Sequence, residues 1–319
     1  MNENSTLVAV QIDKEQYSKL VKDTLIFQST NFLELNKNKV DELVYLSINK
    51  GESARFAVCF GVVEGIAKCP FSSPCGYPVM IKKNLSIKYY DEALEAIDYF
   101  AKNKGWNQIR FVLPPLFYAK EELTAWTNSM FRHNYAMQYV DVNYAFDLKK
   151  VYADDYEKNI QHNARKNLRI ALSSGLELHE CLEQNEIIEA YGVIAENRAS
   201  KGYPLHMSLE QVLSTIKIVN SNVFLVKKDN INVAAALVYT INNEIAQVIY
   251  WGDRPGYSEL KTINFLSYNL IKYYGYRGYS ILDIGISTVE SEPNYGLCNF
   301  KESIGCERDL KITMLRIVE

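Results

Sequence analysis

The chain has 319 residues, 48% of them hydrophobic, and a formal net charge of −3. That length is more than one hydrophobic core usually supports, so two domains of ordinary size are expected. The apolar content excludes a disordered chain, the acidic balance excludes a general nucleic-acid binder, and no apolar run approaches the roughly 20 residues of a membrane span. The start, MNENSTLVAVQIDKEQ, has no basic stretch leading into an apolar one, so no secretory signal is expected and the expected location is cytoplasmic. The six cysteines form no CxxC pair and the four histidines no HxxxH pattern, so reduced thiols and no metal site are expected.

In chain order, apolar patterning predicts strands at Glu42–Ile48 and Arg55–Val63, followed by the turn-rich stretch CPFSSPCGYP at Cys69–Pro78. A helix near Ile87–Lys102 carries apolar residues at helical spacing and is stopped by Gly105. A strand at Ile109–Pro115, a helix near Lys120–Arg132 and a strand near Val142–Leu148 complete the first half. The second half opens with a helix read from Tyr156 to Ser174. A strand at Leu176–Leu182 and helices at Glu186–Ser200 and Leu209–Val219 follow. Three strands then form a meander, at Asn222–Lys228, Val233–Ile241 and Ile245–Asp253, separated by Asp229–Asn230 and Asn242–Asn243. A helix near Ser258–Tyr274 and strands at Tyr279–Ser287 and Lys311–Val318 end the set.

The two halves echo one another. AKNKGWNQIRFVLPP in the first and IKYYGYRGYSILDIGIS in the second are each a helix, a glycine with an aromatic, a turn and a strand. The fold class is therefore α+β, with a mixed, mostly antiparallel sheet flanked by helices in each half, and domains at 1–150 and 151–319.

The helix opening the second half concentrates positive charge in a chain that is otherwise mildly acidic. His162, Arg165, Lys166 and Arg169 share one face, while Ile160, Ala164, Leu168 and Ala171 share the other. Arg165 and Arg169, four apart, are spaced to grip a phosphate or carboxylate, against the plainer alternative of a solvated face.

Four segments resemble the FemABX-like acyltransferases of the GNAT superfamily. ARKNLRIALSSG looks like their R-x-N-I-R-K-A-x-x-x-G signature. YWGDRPGYSELKTINFLSYNLIKYYGYRGYSILDIGIS looks like their strand–helix–strand stretch with a D-x-G. YGLCNFKESIGCE looks like their G-L-x-x-F-K-x-x-F-G-G motif, with Ile304 and Cys306 as departures, and IAKCPFSSPCGYPV followed by IRFVLPP is similar to their amino-terminal domain. The resemblance implies two GNAT-like domains and transfer of an acyl or aminoacyl group to an amine. It implies Lys301 as a catalytic cation, with Phe300 packing the donor. Asp283, a carboxylate in an apolar strand, is either a base or a structural group.

Tyr250, Trp251, Asp253 and Arg254 are expected at the donor site, where a helix N-terminus would face phosphate. The acceptor-binding candidates are the basic-helix residues His162, Arg165, Lys166 and Arg169, with Arg198, His206 and Tyr77. The expected donor is acetyl-CoA or another acyl-CoA, and the expected acceptor is an amino-sugar or cell-envelope precursor, nucleotide- or lipid-linked and anionic. Two alternatives stand beside this: a tRNA-dependent aminoacyltransferase of the peptidoglycan-bridge type, and a catalytically silent GNAT-like binding protein. Replacing Lys301 by Ala is expected to cut transfer while leaving melting nearly unchanged.

Overall fold

The computed structural model describes residues 6–22, 24–151 and 155–318. It divides into two compact units. The first comprises Met1–Val142, Glu290–Glu292 and Asp309–Glu319; the second comprises Asn143–Val289 and Pro293–Arg308.

The first unit begins with β1 (Val8–Ile12), α1 (Lys14–Leu20) and α2 (Thr30–Leu35), three elements too short to show a period in the sequence. It continues through β2 (Glu42–Lys50), β3 (Ser53–Val63), β4 (Ile66–Cys69), β5 (Val79–Met80), α3 (Ile87–Lys104), β6 (Gln108–Val112), α4 (Lys120–Arg132) and β7 (Ala136–Asp147), whose last five residues belong to the second unit. Asp13 starts α1 with a reciprocal capping box to Gln16. Tyr17, Val21 and Leu33 from the two short helices pack on Tyr45, Ala57 and Cys59 of the sheet. Strands β1, β2, β3 and β4 pair antiparallel in sequence. Then β4 pairs in parallel with β6, from Ile66↔Gln108 to Cys69↔Phe111. The chain that follows β4 fills the space beyond this parallel pair: Gly76 N–H bonds Val112 O at 2.8 Å, and Cys75 and Tyr77 are buried.

The second unit holds α5 (Tyr156–Asn159), α6 (His162–Ser173), β8 (Glu177–Glu180), α7 (Gln184–Lys201), α8 (Leu209–Ile216), β9 (Ser221–Lys228), β10 (Ile231–Thr240), β11 (Ile245–Asp253), α9 (Thr262–Tyr276) and β12 (Ile281–Ile286). After β13 (Thr288–Val289) and β14 (Glu292–Pro293) come α10 (Tyr295–Ser303) and β15 (Glu307–Ile317), most of which returns to the first unit and pairs antiparallel with β6. The sheet order of the second unit is β7-β12-β11-β10-β9-β8. Among the described residues of this unit, β11 and β12 are the pair that runs parallel, joined across α9. The hairpin β9–β10 turns on Asp229 (φ 49°) and Asn230 (φ 66°), two residue types that tolerate the left-handed region. Strand β10 is buried from Val233 to Thr240, which fits helices on both of its faces; α7 and α9 both contact it.

Two helices differ from expectation. The basic segment is two helices, because Ile160 and Gln161 are extended (ψ 155° and 157°). Gln161 N–H leaves the helical ladder to bond Ser303 O at 3.0 Å. The helix expected from Ser258 begins at Thr262, after a short 3-10 turn and Lys261 at φ 54°.

Candidate active site

The site is built where β11 and β12 part. Their parallel register holds for three pairs, ending at Gln247↔Asp283, and then stops. Each strand carries an irregularity just beyond that point. On β11, Tyr250 faces Leu237 and Val248 faces Val238, so Ile249 is an extra residue with no partner on β10. On β12 the pairing with β7 shifts between Asp283 and Ile286. Gly285 sits there at φ 73°, a conformation that favours glycine, and its N–H bonds the Asp283 carboxylate at 2.8 Å. The D-x-G of the sequence is thus a bulge. The simple alternation expected along Tyr279–Ser287 ends at it.

A cavity of about 540 Å³ lies at this parting. Val248, Ile249, Trp251, Ile284, Ile286 and Phe300 supply apolar wall. The first turn of α9 (Thr262, Ile263, Asn264) and the start of α10 (Asn294, Gly296, Leu297) also line it. The macrodipoles at both helix starts favour negative charge here, although Leu297 N–H is capped by Asn294 Oδ1 and Asn264 N–H bonds Lys261 O. Its charged lining is Arg198, Lys201, Lys261 and Lys301 against one carboxylate, Asp253.

Lys301 is 2% exposed. Its Nζ donates to the carbonyls of Ile284 (2.9 Å), Gly285 (2.8 Å) and Ile286 (3.0 Å). An ammonium has three protons, and all three are committed to the parted end of β12. Burial pushes the Lys301 ammonium down to about 8, and the charge of Arg198 acts in the same direction. Lys301 therefore holds β12 open and places positive charge at the parting. The expectation that its loss leaves melting unchanged is corrected, because three carbonyls would lose their donor.

Asp283 is fully buried. It accepts hydrogen bonds from Asn143 Nδ2 (2.7 Å), Gln247 Nε2 (2.8 Å) and Gly285 N. It ties β7, β11 and β12 together and does not line the cavity. Asp253 does line it. Asn197 Nδ2 donates to its carbonyl (2.6 Å) and its carboxylate (2.9 Å), Lys201 lies at 3.4 Å, and Thr262 Oγ1 bonds it at 3.4 Å. A Cβ on Gly252 would meet the Asn197 side chain at 2.6 Å, so glycine is what lets Asn197 come this close.

Of the expected donor residues, the structure brings Trp251, Asp253 and Phe300 to one cavity, together with Lys301, the expected catalytic cation. Tyr250 is buried behind it, 5.3 Å from the Arg198 guanidinium, and burial raises its hydroxyl above the ordinary range. Arg254 does not line the cavity; Glu196 holds it at 2.7 and 3.2 Å.

Of the expected acceptor residues, only Arg198 lines this cavity. His206 is exposed and outside it. Tyr77 is buried in the first unit, where its carbonyl accepts from Gln28 Nε2 at 2.6 Å. His162, Arg165, Lys166 and Arg169 line a separate open hollow of about 510 Å³ on α6. There the two arginines do act as a pair, but on the chain itself. Arg165 bonds Glu157 O (2.7 Å) and Ile160 O (3.2 Å), and Arg169 grips the Glu157 carboxylate through Nε and Nη2. Each guanidinium thus uses its Nε and Nη2 to join α5 to α6, and neither lines the cavity at the strand parting.

Asn197, Tyr203, Lys261, Thr262, Asn264 and Asn294 line the cavity and were not singled out by sequence. Lys261 and Thr262 had a signal in the strand–helix junction. The others are ordinary polar residues until the fold brings them together.

No described helix is long and apolar enough to cross a membrane. No family model matches the chain, and no curated protein matches it in sequence. Solved structures do match in fold. One is FemX, with a TM-score of 0.69 at 13% identity, covering 97% of each chain. Another is L-PGS from Bacillus licheniformis, with a TM-score of 0.60 at 12% identity, covering 96% of this chain and 92% of that one. A third is a tandem GNAT protein from the clavulanic acid biosynthesis pathway, with a TM-score of 0.55 at 7% identity, covering 98% and 99%. The chain has the FemABX-like fold of tandem GNAT-type units, an α+β architecture with a mixed, mostly antiparallel sheet.

Proposed function

We propose that the chain is an acyl- or aminoacyltransferase that uses the parting of β11 and β12 to hold an activated carbonyl for attack by an amine. The observation that carries this is the pair of bulges on facing strands with a cavity at their divergence. Ile249 has no partner on β10 and lies beyond the β11–β12 register. In this reading a backbone amide at the bulge donates to the oxyanion of the tetrahedral intermediate. Lys301 adds positive charge beside it. Asp253 is the carboxylate within the cavity and takes the proton that the attacking amine must lose. Most of the rate comes from holding the two substrates in line.

The phosphate-bearing part of the donor lies against the α9 N-terminus and Lys261. An acyl-CoA is the first reading of the donor, with an amino-sugar or cell-envelope precursor as acceptor. One observation favours the second reading, an aminoacyl ester on the 3′ end of a tRNA. Asp253, fixed by Asn197 and bonded to Thr262, puts a carboxylate at the helix start where a pyrophosphate would need to sit.

Calorimetric titration with acetyl-CoA and with a stable 3′-aminoacylamido-adenosine tests both readings. Saturable binding of either, lost in Phe300→Ala, is expected. Failure of both to bind would end the transferase reading and leave the silent ligand-binding alternative.

A further inference from the structure

Arg198 differs from the other arginines around the second unit's sheet. Arg254 is held by Glu196 and Arg169 by Glu157. Arg198 has no carboxylate in ion-pair range and no hydrogen-bond acceptor among the described residues. Its guanidinium lies 5.3 Å from the ring centroid of Tyr250 and 6.0 Å from that of Tyr203. Aromatic rings orient a guanidinium by its face and leave its N–H edge unused. Tyr203 is itself fixed, since Asn294 Nδ2 donates to its hydroxyl at 2.9 Å. A planar five-donor group is thus held in place, at the wall of a cavity, with nothing to donate to.

Lys301 is a second cation lining the same cavity. Its ammonium bonds only neutral carbonyls, and the charges of the buried Asp283 and of Arg198 both act on it, in opposite directions. The cavity's one carboxylate, Asp253, is engaged by Asn197 and Lys201. Two cations lining one cavity both attract an oxyanion placed between them. The N-terminus of α10 opens into the same cavity through Asn294, Gly296 and Leu297. Asn264, 7% exposed and lining the cavity, has a carboxamide with no hydrogen-bond partner among the described residues, a second polar group left for a ligand.

We propose that Arg198, supported by the charge of Lys301, binds a carboxylate or phosphate carried by the amine substrate close to its reacting nitrogen. The anion site stands on the geometry alone, while its assignment to the amine substrate rests on the transferase reading. Lys301 marks the parting where the carbonyl is held. An oxyanion beside it is therefore only a few bonds from the attacking amine, as in an α-amino acid or a phosphorylated amino alcohol. The lysine contributes charge, its protons being committed, and the arginine contributes the paired hydrogen bonds that fix orientation.

Thermal melting in sodium phosphate, with ionic strength held constant by chloride, tests the anion site. Phosphate is expected to stabilise the native chain and Arg254→Gln equally. Arg198→Gln is expected to need about tenfold more phosphate for the same shift, and Arg198→Lys to fall between. Equal shifts in the native chain and Arg198→Gln would overturn the proposal. Glycine against glycinamide, and phosphoethanolamine against ethanolamine, then identify the source. A preference within the first pair assigns a carboxylate and within the second a phosphate, and a preference within neither refutes the assignment to the amine substrate. If the transferase reading alone is wrong, the phosphate effect on Arg198 persists while no acyl transfer is detected with any donor.

Discussion

Lys301 joins folding and chemistry in one atom. Its Nζ donates to three successive carbonyls at the parted end of β12. Lys301→Met should therefore lower stability by about 1–3 kcal/mol as those acceptors lose their donor, and abolish measurable transfer. Its pH dependence has a definite sign. Burial places the folded ammonium at about 8, below the ordinary 10.5. Below about 8 both folded and unfolded chains hold the proton, and the cost of the buried charge is present in full. Between about 8 and 10.5 only the unfolded chain holds it, so this residue's contribution to stability rises with pH. Transfer should fall across the same window if the charge is needed. Melting curves of the native chain and Lys301→Met from pH 7.5 to 9.5, with rates measured in parallel, separate the two trends. A parallel rise of stability and rate would remove the charge from the mechanism. Gly252→Ala offers a gentler probe. Its methyl would strike Asn197 and loosen Asp253, costing about 1–3 kcal/mol of stability and weakening donor binding in the calorimetric titration.

At the scale of elements, β11 was legible to the residue, Ile245–Asp253, because an apolar run bounded by turn residues has few readings. What was illegible is the feature that makes it a site. A bulge at Ile249 leaves no trace in composition, since the extra residue is defined only by its pairing with β10. Deleting Ile249 should restore continuous register with Tyr250 still opposite Leu237, straighten the strand and close the cavity. Transfer should be lost, while far-ultraviolet dichroism still shows a folded sheet; retained transfer would mean the bulge is incidental. The break between α5 and α6 was hidden for a similar reason. Helical periodicity runs unbroken through Ile160 and Gln161, but the bond that draws Gln161 out of the helix comes from Ser303. By contrast, Phe300 and Lys301 were reachable through their motif, and Asp283 and Gly285 through theirs. For the D-x-G the sequence left a base and a structural group as alternatives, and hydrogen bonding makes the carboxylate the fastening of the β12 bulge.

At the scale of the molecule, the formal charge of −3 and the cation-rich cavity have opposite signs. Long-range attraction of an anionic donor is therefore weak, and affinity arises locally. Raising salt from 50 to 500 mM should weaken donor binding by only about three- to tenfold, and a far steeper dependence would indicate an extended polyanion contact instead. The first unit bears on this too. It has the same parallel pair in β4 and β6, yet the segment after β4 bonds Val112 through Gly76, and the crevice left beside Cys69 and Tyr77 is about 10 Å³, room for a single water. The scaffold is present twice but vacant once. Stoichiometry follows: titration of donor should close at one equivalent per chain, with no second, weaker inflection at any concentration.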